Sequence, residues 1–173
     1  MPKAKTWLSG AFSRETIVNS LRTALAAMIS LLVARVQRLP EAYWAAITTM
    51  IVMQSTLGAA LTVSGQRLIG TALGAASGAL LAERFGANVY AFSAGVFVLG
   101  LICAALRVDK AAYRFAGITM AIVMLIAHEK SAWVIALHRF AEVSMGIAVA
   151  LVLTAVWPGP VDTVAAKPAR SRA

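Results

Sequence analysis

Charge is scarce in this chain: Asp, Glu, Lys and Arg make up 13% of its 173 residues, and only seven of those are acidic. A soluble domain draws about a quarter of its residues from that set, so the polar surface it would turn to water is missing. Cysteine occurs once, at Cys103 within an apolar stretch. That excludes a disulfide framework and a multi-cysteine metal site, and leaves Cys103 as a small buried or lipid-facing residue. The two histidines, His128 and His138, have no clustered carboxylate or thiolate beside them and read as interfacial polar residues, so no metal is expected. There is no Gly-rich loop ending in Lys-Ser or Lys-Thr, hence no nucleotide-hydrolysing motif. No nucleophile, base and orienting acid can be assembled, which predicts no enzyme and no cofactor. An inward acidic ring or filter-like sequence, as an ion channel would need, is also lacking.

What is present is apolar. Hydrophobic residues reach 60% and mean hydropathy is +0.79, which predicts an all-α, polytopic transmembrane helical bundle. The length allows about six spans of about 20 residues each. A net charge of +9 would point to nucleic acid in a soluble protein. Here the basic residues flank hydrophobic runs, so the expected partner is the lipid bilayer and not nucleic acid. Lys3, Lys5 and Arg14 ahead of the apolar run from Ala24 to Ala34 imitate a secretory signal. Further apolar runs follow, which favours an uncleaved first span.

Turn residues and charges divide the chain. A cytoplasmic segment, 1–16, precedes the transmembrane domain, 17–158, and a basic tail, 159–173, is expected to be disordered. Span 1 runs from Ile17 to Val36 and stops at Gln37-Arg38-Leu39-Pro40-Glu41, where Pro40 cannot extend the helix. Span 2 runs from the interfacial pair Tyr43 and Trp44 to Leu57. Gly58 to Gln66 reads as a weakly polar connection, and Arg67 opens a short span 3, Leu68 to Ala82. Span 4 covers Asn88 to Leu106, Arg107 to Lys110 is a polar turn, and span 5 covers Tyr113 to Ala127. Span 6 starts between Trp133 and Arg139 and ends at Trp157-Pro158. With the N-terminus inside, eleven of the sixteen Lys and Arg residues fall on the cytoplasmic side, which places both termini there.

The chain also resembles itself. At an offset of 71, Ile47, Thr48, Ile51, Val52 and Met53 meet Ile118, Thr119, Ile122, Val123 and Met124. One residue of slip later, Arg67 meets Arg139 and Gly74 meets Gly146. The halves, 17–86 and 87–158, have three spans each and so would cross the bilayer in opposite senses, an inverted repeat of the kind found in secondary transporters. Coincidence within a small apolar alphabet is the competing explanation.

Few residues could carry chemistry. Gly70, Gly74 and Gly78 share one helix face and, with Gly146, point first to close helix packing and second to a path lined by backbone. Arg67 and Arg139 either snorkel to headgroups or pair structurally, or else they recognise an anion. Glu142, three residues after Arg139, reads as its local ion-pair partner or as a proton-coupling carboxylate. Thr48, Thr49, Gln54 and Thr119 either bond within and between helices or line a polar cavity that binds substrate.

The stretch Tyr43-Trp44-Ala45-Ala46-Ile47-Thr48, then Val52-Met53-Gln54-Ser55-Thr56-Leu57-Gly58, then Gln66-Arg67-Leu68-Ile69-Gly70-Thr71-Ala72-Leu73-Gly74 resembles the first half of the fusaric acid resistance, or aromatic acid exporter, family (FUSC-like). Tyr113, Gly117-Ile118-Thr119 and Arg139 through Gly146 to Trp157-Pro158 resemble the second half. The resemblance covers residues 17 to 158 and implies a multi-span permease domain linked to export of aromatic carboxylic acids and similar compounds. Family members are often longer, with two membrane halves and a large cytoplasmic region, so two copies of this chain are expected to join. The reading is an inner-membrane permease for small organic anions, a homo-oligomer or one with a partner membrane subunit. Its rival is a non-transporting scaffold or accessory subunit, with an enzyme acting on lipid a distant third.

Overall fold

Three of the helices begin where a polar side chain takes up a free backbone N–H. In the computed structural model, which describes residues 14–53, 56–126 and 131–157, the Thr56 hydroxyl accepts from the Ala59 N–H, the Asn88 amide oxygen from Tyr90 and Ala91, and the Asp109 carboxylate from Ala111. Among the described residues the fold is six α-helices and no strand. They are α1 (Arg14–Val36), α2 (Tyr43–Val52), α3 (Leu57–Phe85), α4 (Val89–Ala105), α5 (Lys110–Leu125) and α6 (Ala132–Val156). The segment before Arg14, the basic tail, Gln54 and His128 lie outside the described residues.

Several expected boundaries need correction. Gly58 to Gln66 is not a connection but the first part of α3, which makes this helix 29 residues long and carries it on to Phe85. Gly58, Thr62, Ser64 and Gly65 are weak helix formers. The Thr56 cap, a Thr62 hydroxyl bonded back to the Gly58 carbonyl at 3.1 Å, and burial of Ala60 and Ser64 hold them in the helix. Arg67 therefore lies about 15 Å inside α3 and does not open it. Likewise α6 starts at Ala132, so Arg139 sits two turns in. Helix α2 is only 10 residues long, because the backbone leaves the helix at Met53 with ψ 107°. Helix α5 starts at Lys110, set by the Asp109 cap, and ends where Ile126 becomes extended. Gly86 closes α3 at φ 61°, a left-handed conformation suited to glycine.

Contacts between small residues fix how the helices run. A Cβ added to Gly70, Gly74 or Gly78 would meet Ala112, Ala116 or Met120 in turn, so α3 and α5 advance in parallel at very close approach. Helices α2 and α6 do the same, with Gly146 against the Ala45 carbonyl and the Thr154 hydroxyl 3.5 Å from the Met53 sulfur. Helix α3 runs antiparallel to α6, since Ala60 clusters with Ile147 and Ala150 while Ala79 clusters with Ile135 and Ala136. Helix α1 packs antiparallel on α2, Ala34 against Ala42 and Ala45, and Ala26 against Val52 and Met53. Cys103 is buried in a peripheral cluster with Leu99, Ala116 and Met120.

The outer surface is apolar on every helix: Leu21, Met50, Leu61, Phe97, Ile118 and Leu137 are all exposed. Water does not favour so much apolar surface, whereas hydrocarbon does. Helices α1 and α6 are each long and apolar enough to cross a membrane.

At the α2–α6 contact the Thr49 hydroxyl lies 3.0 Å from both the Ala45 and the Gly146 carbonyl oxygens and shares its hydrogen between them. Thr49→Val keeps the shape and removes the interhelical bond. The expected loss is about 0.5 to 1 kcal/mol, read as a lower thermal midpoint in detergent. An unchanged midpoint would mean that the bond adds nothing to the contact.

Candidate functional site

Polar residues are rare in these helices; Arg22 and Ser30 are buried on α1, and a second group, Thr48, Arg67, Arg139 and Glu142, gathers where α2, α3, α5 and α6 meet. Arg67 is 5% exposed and Arg139 3% exposed, which rules out snorkelling for both. The Arg67 Nε–H donates to the Thr48 hydroxyl at 3.1 Å, and its guanidinium carbon stands 4.8 Å from the centre of the Phe115 ring. The Arg139 guanidinium stands 4.4 Å from the centre of the Trp44 ring. Such stacking on an aromatic face stabilises a desolvated cation by on the order of 2 kcal/mol. Trp44 and Thr48 are one turn apart on α2, so one helix face holds both arginines.

The two arginines differ in their acidic company. The Arg139 Nη2 donates to Glu41 Oε2, and Nη1 lies 3.4 Å from Glu142 Oε2, so the local pair expected from the sequence is present. Glu41, which the sequence presents only as part of the polar stop after span 1, belongs to this cluster. It also accepts from the Tyr43 hydroxyl at 3.0 Å and the Trp44 indole N–H at 3.1 Å. Its own backbone N–H donates to Glu142 Oε1 at 2.9 Å, tying the start of α2 to α6. Among the described residues no carboxylate lies within 4 Å of the Arg67 guanidinium, and its Nη nitrogens make no hydrogen bond. The Arg139 Nε and Nη1 and the Glu142 Oε2 are buried without a hydrogen-bond partner.

Of the other expected site residues, Thr48 reaches the cluster and Thr119 is buried on α5 without bonding to either arginine. Gln54 falls outside the described residues. Gly70, Gly74, Gly78 and Gly146 all sit at helix crossings, as the packing reading expects. No group of three or more His, Cys, Asp and Glu that could hold a metal occurs among the described residues. Two apolar grooves of about 620 and 640 Å³ lie on either side of α4 and do not reach the arginines.

A bundle with an apolar exterior, closed around two desolvated arginines on facing helices, belongs to the class of helical membrane proteins. A family model described as fusaric acid resistance protein-like matches residues 25–153. That stretch runs from α1 into the last turns of α6, and the chain belongs to this family. No curated protein and no solved structure matches it.

Proposed function

We propose that the chain is a membrane permease for small organic anions, aromatic carboxylates first among them, with Arg67 as the anion-binding charge. The observation that carries this is the contrast between the arginines. Arg139 is held by two carboxylates, whereas Arg67 is equally desolvated and has a hydroxyl and a ring for company. A buried cation without a counter-ion is costly, and a ligand carboxylate offers what is missing.

An inverted three-helix repeat is the frame of this reading. Its support is that residues 71 or 72 positions apart make matching contacts. Arg67 stacks on Phe115 as Arg139 stacks on Trp44, and Gly74 meets Ala116 as Gly146 meets Ala45. Helices α2 and α5, at 10 and 16 residues, are both shorter than the roughly 20 residues a span needs. Corresponding short helices in two halves point to a substrate site at the repeat interface, where the arginines are. The same reading puts the chain in the inner membrane with both termini cytoplasmic, exporting its substrate as a homo-oligomer.

Uptake of radiolabelled benzoate into sealed vesicles tests it. Loss of a charge-assisted hydrogen bond predicts a fall of about ten- to a hundredfold for Arg67→Ala, with assembly on a native gel unchanged. Benzoate flux equal to that of empty vesicles would leave the scaffold reading in its place.

A further inference from the structure

Four charged groups make up the cluster, three of them buried and Glu41 half-buried, and their formal charges cancel: Arg67 and Arg139 against Glu41 and Glu142. An anion that enters adds one negative charge where an uncompensated one is expensive. Either the anion stays out or one carboxylate gives up its charge. Building on Arg67 as the anion-binding charge, we propose that anion binding is coupled to uptake of one proton by Glu142, so that substrate and proton bind together and are not exchanged.

The geometry singles out Glu142. Glu41 Oε2 is held by three donors, Arg139, Tyr43 and Trp44, and the residue is 28% exposed, so its charge is well supported. Glu142 is 1% exposed and has one hydrogen bond, from the Glu41 N–H to Oε1. Its Oε2 has no hydrogen-bond partner and faces Arg139 Nη1 at 3.4 Å. A proton carried in from the aqueous phase by hydronium or a buffer acid, whose conjugate base stays in solution, can form the O–H bond on Oε2 without displacing a donor. The neutral carboxyl then no longer neutralises Arg139, whose unpartnered Nε and Nη1 groups turn to the anion. Glu41, the exposed member of the pair, touches Glu142 through its N–H and marks the side from which the proton arrives.

The charged and titratable groups of every neighbouring element fit this assignment. Helix α2 contributes Tyr43 on Glu41, and α3 contributes Arg67. On α1 the buried charge is Arg22, one turn beyond Ala26 and towards the Met53 end of α2. On α5, Lys110 and Arg114 are exposed, and on α6 half-buried His138 points about 100° away from Arg139 around the helix.

Benzoate binding to the purified full chain, measured by calorimetry between about pH 6 and pH 8, where benzoate stays ionised, tests the coupling. One linked proton tightens binding by up to about tenfold for each unit the pH falls. Glu142→Gln is expected to bind at pH 8 as the unaltered protein binds at pH 6, with the pH dependence gone. Calorimetry of the unaltered protein in two buffers of different ionisation enthalpy is expected to count about one proton taken up per benzoate. That second measurement decides if the variant does not assemble. Binding that is flat with pH, or that weakens as pH falls, overturns the coupling and leaves the anion site standing. Absence of benzoate binding at every pH removes the anion site, and the coupling with it.

Discussion

Gly74→Leu is expected to leave no folded protein in a detergent extract, and Gly74→Ala to lower stability by about 3 kcal/mol. Even the single carbon added by alanine would stand 2.1 Å from the Ala116 carbonyl oxygen, and that oxygen belongs to a helix backbone that cannot rotate away. Helices α3 and α5 have to separate along their whole contact, which also opens the Gly70 and Gly78 crossings. Gly146→Ala meets the Ala45 carbonyl, again a helix backbone, and is expected to cost a similar amount. Gly117→Ala is the control. Nothing lies within 4 Å of its added carbon, and removing a mid-helix glycine stabilises a helix by up to about 1 kcal/mol. The thermal midpoint of the detergent-solubilised protein ranks the three alanine variants. Equal midpoints for Gly74→Ala and Gly117→Ala would mean that α3 and α5 do not approach so closely.

The glycine face was legible because spacing of four residues survives any uncertainty about helix ends. The placement of Arg67 was not. Gly58, Thr62, Ser64 and Gly65 look like loop residues, and the packing that overrides their weak propensity is tertiary: Ala60 and Ser64 are buried, and Thr56 caps the helix. Once those residues joined α3, an arginine expected at a membrane surface moved inside the bundle. Glu41 escaped for a related reason. Beside Pro40 it looked like a solvated stop, yet Tyr43 and Trp44 just after it supply two donors that fold back on its carboxylate. An acid followed closely by two aromatic donors was the available signal. Trp44 and Phe115 are 71 positions apart, but their shared role becomes visible only with the two stacks in place.

Removing the guanidinium from the paired arginine is expected to destabilise the bundle more than removing either of its acids. Arg139→Ala leaves Glu142, 1% exposed, with a lone backbone N–H, and takes a charged partner from Glu41. Breaking a buried ion pair from one side costs about 3 to 5 kcal/mol, because the surviving charge stays desolvated. Glu142→Gln should cost less, since Arg139 keeps Glu41 and the Trp44 face, and the amide can still accept from the Glu41 N–H. Replacing both Arg139 and Glu142 by methionine removes the stranded charge and is expected to recover most of the loss, while any function that needs the charge disappears. Thermal midpoints of the three variants in one detergent separate the possibilities. If Arg139→Ala is no worse than the double replacement, Glu142 is not stranded by the loss, and the cluster is far better hydrated than its burial implies. If the order is as expected, the cluster costs the fold stability that an apolar core of the same volume would not. Its retention then points to the ligand chemistry assigned to it.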